Sequence, residues 1–329
     1  MSAPSPFENL HGALVIRKAA GISSFGVVEQ LQRSLRAQAG GKAKRKELPK
    51  LGHGGTLDPF ATGVLPICVG NGVKLARYFL ESPKEYTGEI HFGKATASGD
   101  LTDPVTEESS VIPGSLETIR ASAIEFTTQD YWQTPPMHSA KKLEGTPLYE
   151  LARQGIEVER EAKLCRIYTF EITSWEAPIA RFRARVSAGT YIRVLAQDLA
   201  KKLGTLARLD SLERTQAAWM KIENSLSAES LQAPWDQSPA WVPFDQILRG
   251  LARVQASHEE ALALERGQQA VLELLTQKIS PAASDQPQDL RAVYVGEKLV
   301  AVLRQDMTPE ARWGIERVFP RSAQDFNGA

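Results

Sequence analysis

The order of apolar and polar positions predicts strands and helices interleaved as far as about residue 222. Leu14 to Ile16 make a short apolar run consistent with a strand. After Gly21, Ser23 or Ser24 is placed to cap a helix, and Phe25, Val28, Leu31 and Leu35 follow at helical spacing. Residues 86–94 alternate, with Tyr86, Gly88, Ile90 and Phe92 on one face and Thr87, Glu89 and His91 on the other, which predicts a strand. Residues 181–189 alternate too. Phe182, Ala184 and Val186 share one face, and Arg181, Arg183 and Arg185 form a basic stripe on the other, as would a surface strand paired with acidic neighbours. A short helix over 147–155 ends at Gly155, and Ile192, Leu195, Leu199 and Leu203 mark another that Gly204 stops. No regular βαβ repeat emerges, so residues 1–222 read as one mixed α/β or α+β domain of catalytic size.

The pattern then changes. Residues 223–243 are rich in Ser and Pro and read as a linker or extended segment. Residues 244–329 hold a partly helical stretch over 256–275, a loop over 280–290, a hairpin signal over 291–304 around Gly296 and Glu297, and a strand candidate over 314–320. This is the signature of a small β-rich module.

Composition adds three constraints. The 329 residues, 42% of them hydrophobic, suffice for two domains with a real core. The net charge of zero hides an asymmetry, because residues 1–222 carry 29 Lys and Arg against 24 Asp and Glu, and the rest 10 against 15. Such asymmetry points mildly towards nucleic acid. Within the basic part, residues 33–50 hold seven basic residues and one acid and read as a mobile, solvated surface insertion. Cys68 and Cys165 sit in apolar runs without a metal-ligand spacing and read as buried core thiols. The chain starts without a basic-then-apolar leader and has no apolar run of membrane-spanning length, so a cytoplasmic soluble protein is expected.

Several chemistries lack their motifs: there is no P-loop, no HExxH and no GxSxG, and the five histidines are scattered. What stands out is "LGHGGTLDPFATGVLP", residues 51–66. Gly54 and Gly55 permit backbone conformations that other residues resist, and Pro59 favours a turn. On pattern alone Asp58 reads as closing that turn ahead of doing chemistry.

Residues 52–66 closely resemble the GHxGTLDPxATGxLP signature of the TruB-type tRNA pseudouridine synthases. Four further segments agree, in the family's order. "KAAGISS" (18–24) is similar to its N-terminal motif, with Ala19 where Pro is common, and "KEYTGEIHFG" (84–93) to its second. The stretch 133–155 resembles its long Q-x-P-P segment, and "SAGTYIRVLAQDLAKKLG" (187–204) its G-T-Y-I-R motif, followed by "LDSLERT" (209–215).

The resemblance covers about residues 11–216 and implies the pseudouridine synthase fold: an α+β domain with a mixed, largely antiparallel sheet, helices around it and a cleft across its middle. It implies isomerisation of uridine 55 in the T-loop of tRNA, reached by base flipping, with no cofactor and no metal. Asp58 is then the essential carboxylate, attacking covalently or abstracting a ribose proton. Arg193 is its implied partner, and Tyr191 lies near the base to take the C5 proton. Tyr86 is the implied stacking aromatic, Leu212 an apolar wall, and His53 a contact to RNA or an organiser of the loop. Lys18 supports the active-site loop, and Arg181, Arg183 and Arg185 become candidate phosphate contacts. Residues 244–329 stand where many bacterial members carry a PUA-like RNA-binding module, although the sequence match there is weak. The implied partner is the T-arm of tRNA, with no obligatory protein partner, and a monomer is expected. Two alternatives keep the fold: a tRNA-binding folding chaperone, and a guide-RNA-dependent enzyme acting on ribosomal RNA.

Overall fold

The structure, a computed structural model, describes residues 7, 10–41, 44, 47–139, 141–143, 145–283, 286–306, 308 and 311–319. Its first element, β1 (Gly12–Lys18), leads into α1 (Ser24–Gln38), and Ser23 is the residue that caps this helix, its side chain accepting from the Gly26 amide. The buried stripe of α1 is Val27, Val28, Leu31 and Leu35. Phe25 is exposed, because the sheet lies on the side of α1 one residue further round. The helix also takes up residues 33–38, so that part of the basic insertion is ordered, and residues 42, 43, 45 and 46 lie outside the described residues.

Next come β2 (Leu51–His53), β3 (Thr62–Val69), α2 (Ala76–Glu81) and β4 (Lys84–Phe92). Short pairs then border the sheet: β5 (Lys94–Thr96) with β6 (Val105–Glu108), β7 (Tyr131–Gln133) with β10 (Lys163–Cys165), and β8 (Lys142–Leu143) with β9 (Thr146–Pro147). Among them run α3 (Leu116–Thr128) and α4 (Leu148–Arg153). The main sheet is completed by β11 (Ile167–Glu176), β12 (Ile179–Val186), β13 (Ala207–Ala217), β14 (Met220–Lys221) and β15 (Trp241–Pro243), with α5 (Ile192–Lys202) between β12 and β13. Its order is β11-β12-β4-β13-β3-β1-β15, antiparallel except where β13 meets β3. That central contact puts sequence-distant strands side by side. Lys18, Gly63, Arg214, Tyr86 and Ala184 stand opposite one another across five strands. Cross-strand partners share a face, so this row points to one side of the sheet.

Residues 223–243 are not a free linker. Leu226 exchanges backbone hydrogen bonds with Val15 and Arg17, β15 pairs with the edge of β1, and Trp235 is fully buried in the core beneath α1. Two tryptophans, Trp235 and Trp241, anchor a strap that closes the sheet edge. The C-terminal part has its own four-stranded sheet, residues 252–255, 290–295, 298–305 and 313–318, with α6 (His258–Glu265) and α7 (Ala270–Thr276) against it. Leu290, Ala292, Tyr294, Leu299 and Val302 pack in one cluster with Ala13, Val15, Tyr78 and Phe79, so the module shares a core with the main domain. Cys68 and Cys165 are both buried. Among the described residues no helix is long and apolar enough to cross a membrane.

Candidate active site

The loop from Gly54 to Ala61 lies between β2 and β3 and is fixed from every side. The Gly54 amide donates to the Pro66 carbonyl at 2.8 Å, and Ser24 Oγ accepts from the Leu57 amide at 2.8 Å. Leu57 and Ala61 are buried in the core, so the residue between Leu57 and Pro59 must face outward. Two glycines are steric requirements. A Cβ at Gly54 would stand 2.5 Å from that of Phe79. At Gly63, where φ is +103°, it would lie 2.2 Å from the Arg214 carbonyl oxygen.

Buried cations complete the cradle. Arg214 donates from Nε to the Val64 carbonyl at 2.7 Å, and from its terminal nitrogens to the carbonyls of Gly55 and Thr56. Lys18 Nζ donates to the carbonyls of Ala19, Ile22 and Pro59, tying the end of β1 to the turn after Asp58. Burial pushes the Lys18 ammonium down to about 8, against the pull of Asp58, which raises it. Lys84 caps the end of α2 by donating to the carbonyls of Phe79, Leu80 and Ser82, and burial followed by the Arg214 guanidinium brings it down to about 7.

Asp58 itself is about one third exposed, and its Oδ2 accepts from Arg193 Nε at 2.8 Å. Arg193 sits in the first turn of α5, almost wholly buried. Its terminal nitrogens donate to the carbonyls of Ser98 and His138, and the Asp100 carboxylate stands 3.8 Å from its Nε. Each guanidinium nitrogen therefore has an acceptor, and the one carboxylate open to solvent is Asp58. Tyr191, immediately before α5, is held through its backbone by Gln133, which donates to its carbonyl and accepts from its amide. Burial pushes the Tyr191 phenol above its ordinary value.

Asp58, Tyr86, Tyr191 and Leu212 line one cavity of about 340 Å³, together with Lys84 and Arg214. Four of the expected site residues thus converge, with Arg193 directly behind Asp58. The others do not line the cavity. Lys18 is buried, with its ammonium donating to three backbone carbonyls. His53 lies half-buried on β2, and burial, followed by the Arg214 guanidinium, holds its ring below the usual value. Arg181 and Arg183 are on the far face of the sheet in ion pairs with Glu89 and Glu85, while Arg185 stands over the Tyr168 ring. Sequence reasoning passed over Arg214 although "LDSLERT" contains it. An arginine on the inward face of a strand, in phase with Leu212, was the available signal.

A mostly antiparallel sheet bearing an aspartate–arginine pair in a cavity over its middle has the fold of the pseudouridine synthases. The structure superposes on a chain in a crystal structure of a Cbf5–Nop10–Gar1 complex with a TM-score of 0.68 at 22% identity, over 96% of this chain and 87% of that one. For an H/ACA RNP bound to a substrate RNA containing 2'-deoxyuridine the TM-score is 0.63 at 21% identity, over 98% and 92%. At the sequence level, residues 42–192 match the model of the TruB family pseudouridylate synthase N-terminal domain. The tRNA pseudouridine synthase B of Opitutus terrae is 38% identical over 228 residues, 69% of this chain and 90% of that protein. That of Francisella tularensis subsp. novicida is 41% identical over 225 residues, 68% and 70%. The chain belongs to the TruB family of pseudouridine synthases.

Proposed function

We propose that this enzyme is a tRNA pseudouridine synthase that isomerises uridine 55 of the T-loop, with Asp58 as the essential carboxylate. One observation carries the reading: a solvent-facing aspartate, held by a buried arginine, on the wall of a cavity walled also by two tyrosines and a leucine. The tRNA assignment is supported by the names of the relatives, and the choice of uridine by the likeness of residues 52–66 to the family signature.

In the reaction the N1–C1′ bond breaks, the uracil turns, and a C5–C1′ bond forms. C5 loses a proton and N1 gains one, so composition is unchanged and no redox partner enters. Asp58 acts at the ribose, by attack on C1′ or by taking a ribose proton, and both routes use the ionised carboxylate that Arg193 holds by a charge-assisted hydrogen bond. Tyr86 stacks on the extruded base and Leu212 closes its other side, contacts worth about 1–3 kcal/mol per base. Burial keeps the Tyr191 phenol protonated at neutral pH, so it serves as a relay, receiving the C5 proton as it gives up its own towards N1. Residues 1–222 would form the catalytic domain and 244–329 a PUA-like accessory module, in a cytoplasmic enzyme that works as a monomer without an obligatory protein partner.

The test is conversion of a synthetic T-arm stem-loop by purified wild type beside Asp58→Asn. Wild type should convert the loop uridine, while the variant binds the RNA and loses on the order of 10³-fold in rate or more. Binding by both with conversion by neither would favour the chaperone reading.

A further inference from the structure

Across the side chain of Lys84 from the Asp58 cavity lies a second one of about 450 Å³, between the main domain and the C-terminal module. It is walled by the end of α2, the β13–β14 turn, residues 247–251 and the segment leading into the strand 290–295. The proposed chemistry makes no use of it.

Its charge is decided by pairing. Of the carboxylates lining it, Glu85 bonds to Arg183, while Glu81 and Asp289 share Arg304 with Glu316, and Arg77 bonds to Glu81 and Glu316, so that network of two arginines and three carboxylates keeps one negative charge. Arg185 and Arg249 also line it, and among the described residues neither has an ion pair. The charge left over is positive.

Arg249 is also held flat. Its guanidinium carbon lies 3.6 Å from the centroid of the Trp219 ring. That ring is fixed by its own Nε1–H, which donates to the Ile247 carbonyl at 3.0 Å, and by Gly250, where a Cβ would approach it to 2.6 Å. A guanidinium stacked on an indole turns its second face, with its charge, to solvent. Arginine planes of this kind stack with unpaired nucleobases.

We infer that this cavity takes a neighbouring nucleotide of the RNA strand whose uridine occupies the Asp58 cavity, the base on Arg249 and the phosphate towards Arg185. The inference rests on the RNA reading above. Lys84 then separates two adjacent nucleotide sites, and its engagement with three carbonyls makes it a wall between them and not a phosphate contact.

The experiment measures binding and conversion of the T-arm stem-loop across a salt series for wild type, Arg249→Ala and Arg249→Lys. Arg249 is exposed, so both variants should fold, and matching thermal melts establish it. Arg249→Ala should weaken binding and raise KM about tenfold, with kcat unchanged within about twofold. The slope of log K against log salt should become shallower by about one. Arg249→Lys should restore the slope and leave KM raised, because it keeps the charge and loses the plane. Wild-type conversion together with unchanged KM and slope in Arg249→Ala overturns the inference and leaves the function intact. Failure of wild type to convert overturns the function, and the binding arm still decides the cavity. A thermal shift with uridine monophosphate that Arg249→Ala abolishes, without any change in RNA binding, would assign the cavity to free nucleotides and also overturn the inference.

Discussion

Lys18, Arg193 and Arg214 are buried around the loop that carries Asp58, whereas Arg181 and Arg183 stand exposed on the far face of the same sheet. The two sets look alike as basic residues on or beside strands. Their partners differ. The buried set donates to the backbone carbonyls of Gly55, Thr56, Pro59, Val64, Ser98 and His138, and through Arg193 to one carboxylate. In the exposed set, Arg181 and Arg183 meet single glutamates on β4. Backbone carbonyls are fixed in number and direction by the segments that carry them, so cations that bond the carbonyls of the Gly54–Ala61 loop and of its neighbours hold Asp58 in place. Exposed ion pairs exchange readily with water and salt.

That contrast can be broken most severely at Arg193. Arg193→Lys keeps the charge but has no fork to serve Asp58 and two carbonyls together, and should lower kcat by roughly 10²-fold while RNA binding persists. Arg214→Met should act on stability first, leaving the carbonyls of Gly55, Thr56 and Val64 without the arginine donor, for a loss of about 3 kcal/mol in denaturant unfolding, with activity falling in parallel. The buried lysines give a pH signature. The folded-state value of Lys84, about 7, lies below the unfolded value near 10.5, so between those limits the unfolded chain binds more protons. Raising the pH across that window therefore favours the folded state through this group, and the midpoint of unfolding should gain more from pH 7 to 9 in wild type than in Lys84→Met. The smallest effect belongs to the far face. Arg181→Ala and Arg183→Ala should each change stability by less than about 1 kcal/mol. If either instead unfolds the protein, the distinction between the two sets is lost.

Local pattern made much of this legible. The alternation over 86–92 and 181–186, the serine before α1, the glycine after α5 and the hairpin around Gly296 each report on neighbours a few residues away, and each element forms as expected. What was not legible depends on register between distant strands. The parallel contact of β13 with β3 carries Arg214 over Gly63, and nothing within residues 209–215 encodes it. The pairing of Arg181 and Arg183 with Glu89 and Glu85 likewise follows from the alignment of β12 with β4. Ser and Pro in 223–243 suggested a linker because composition reports backbone preference, whereas Trp235 and Leu226 bind the segment to elements made much earlier in the chain.

That strap has a consequence for synthesis on the ribosome. β1 emerges more than 200 residues ahead of β15, the strand that covers its outer edge. Until residue 243 has been made, one side of the sheet presents a bare row of amides and carbonyls to its surroundings. Chaperone engagement of nascent chains should therefore persist well past the last residue that lines the Asp58 cavity and fall once the strap has closed the edge.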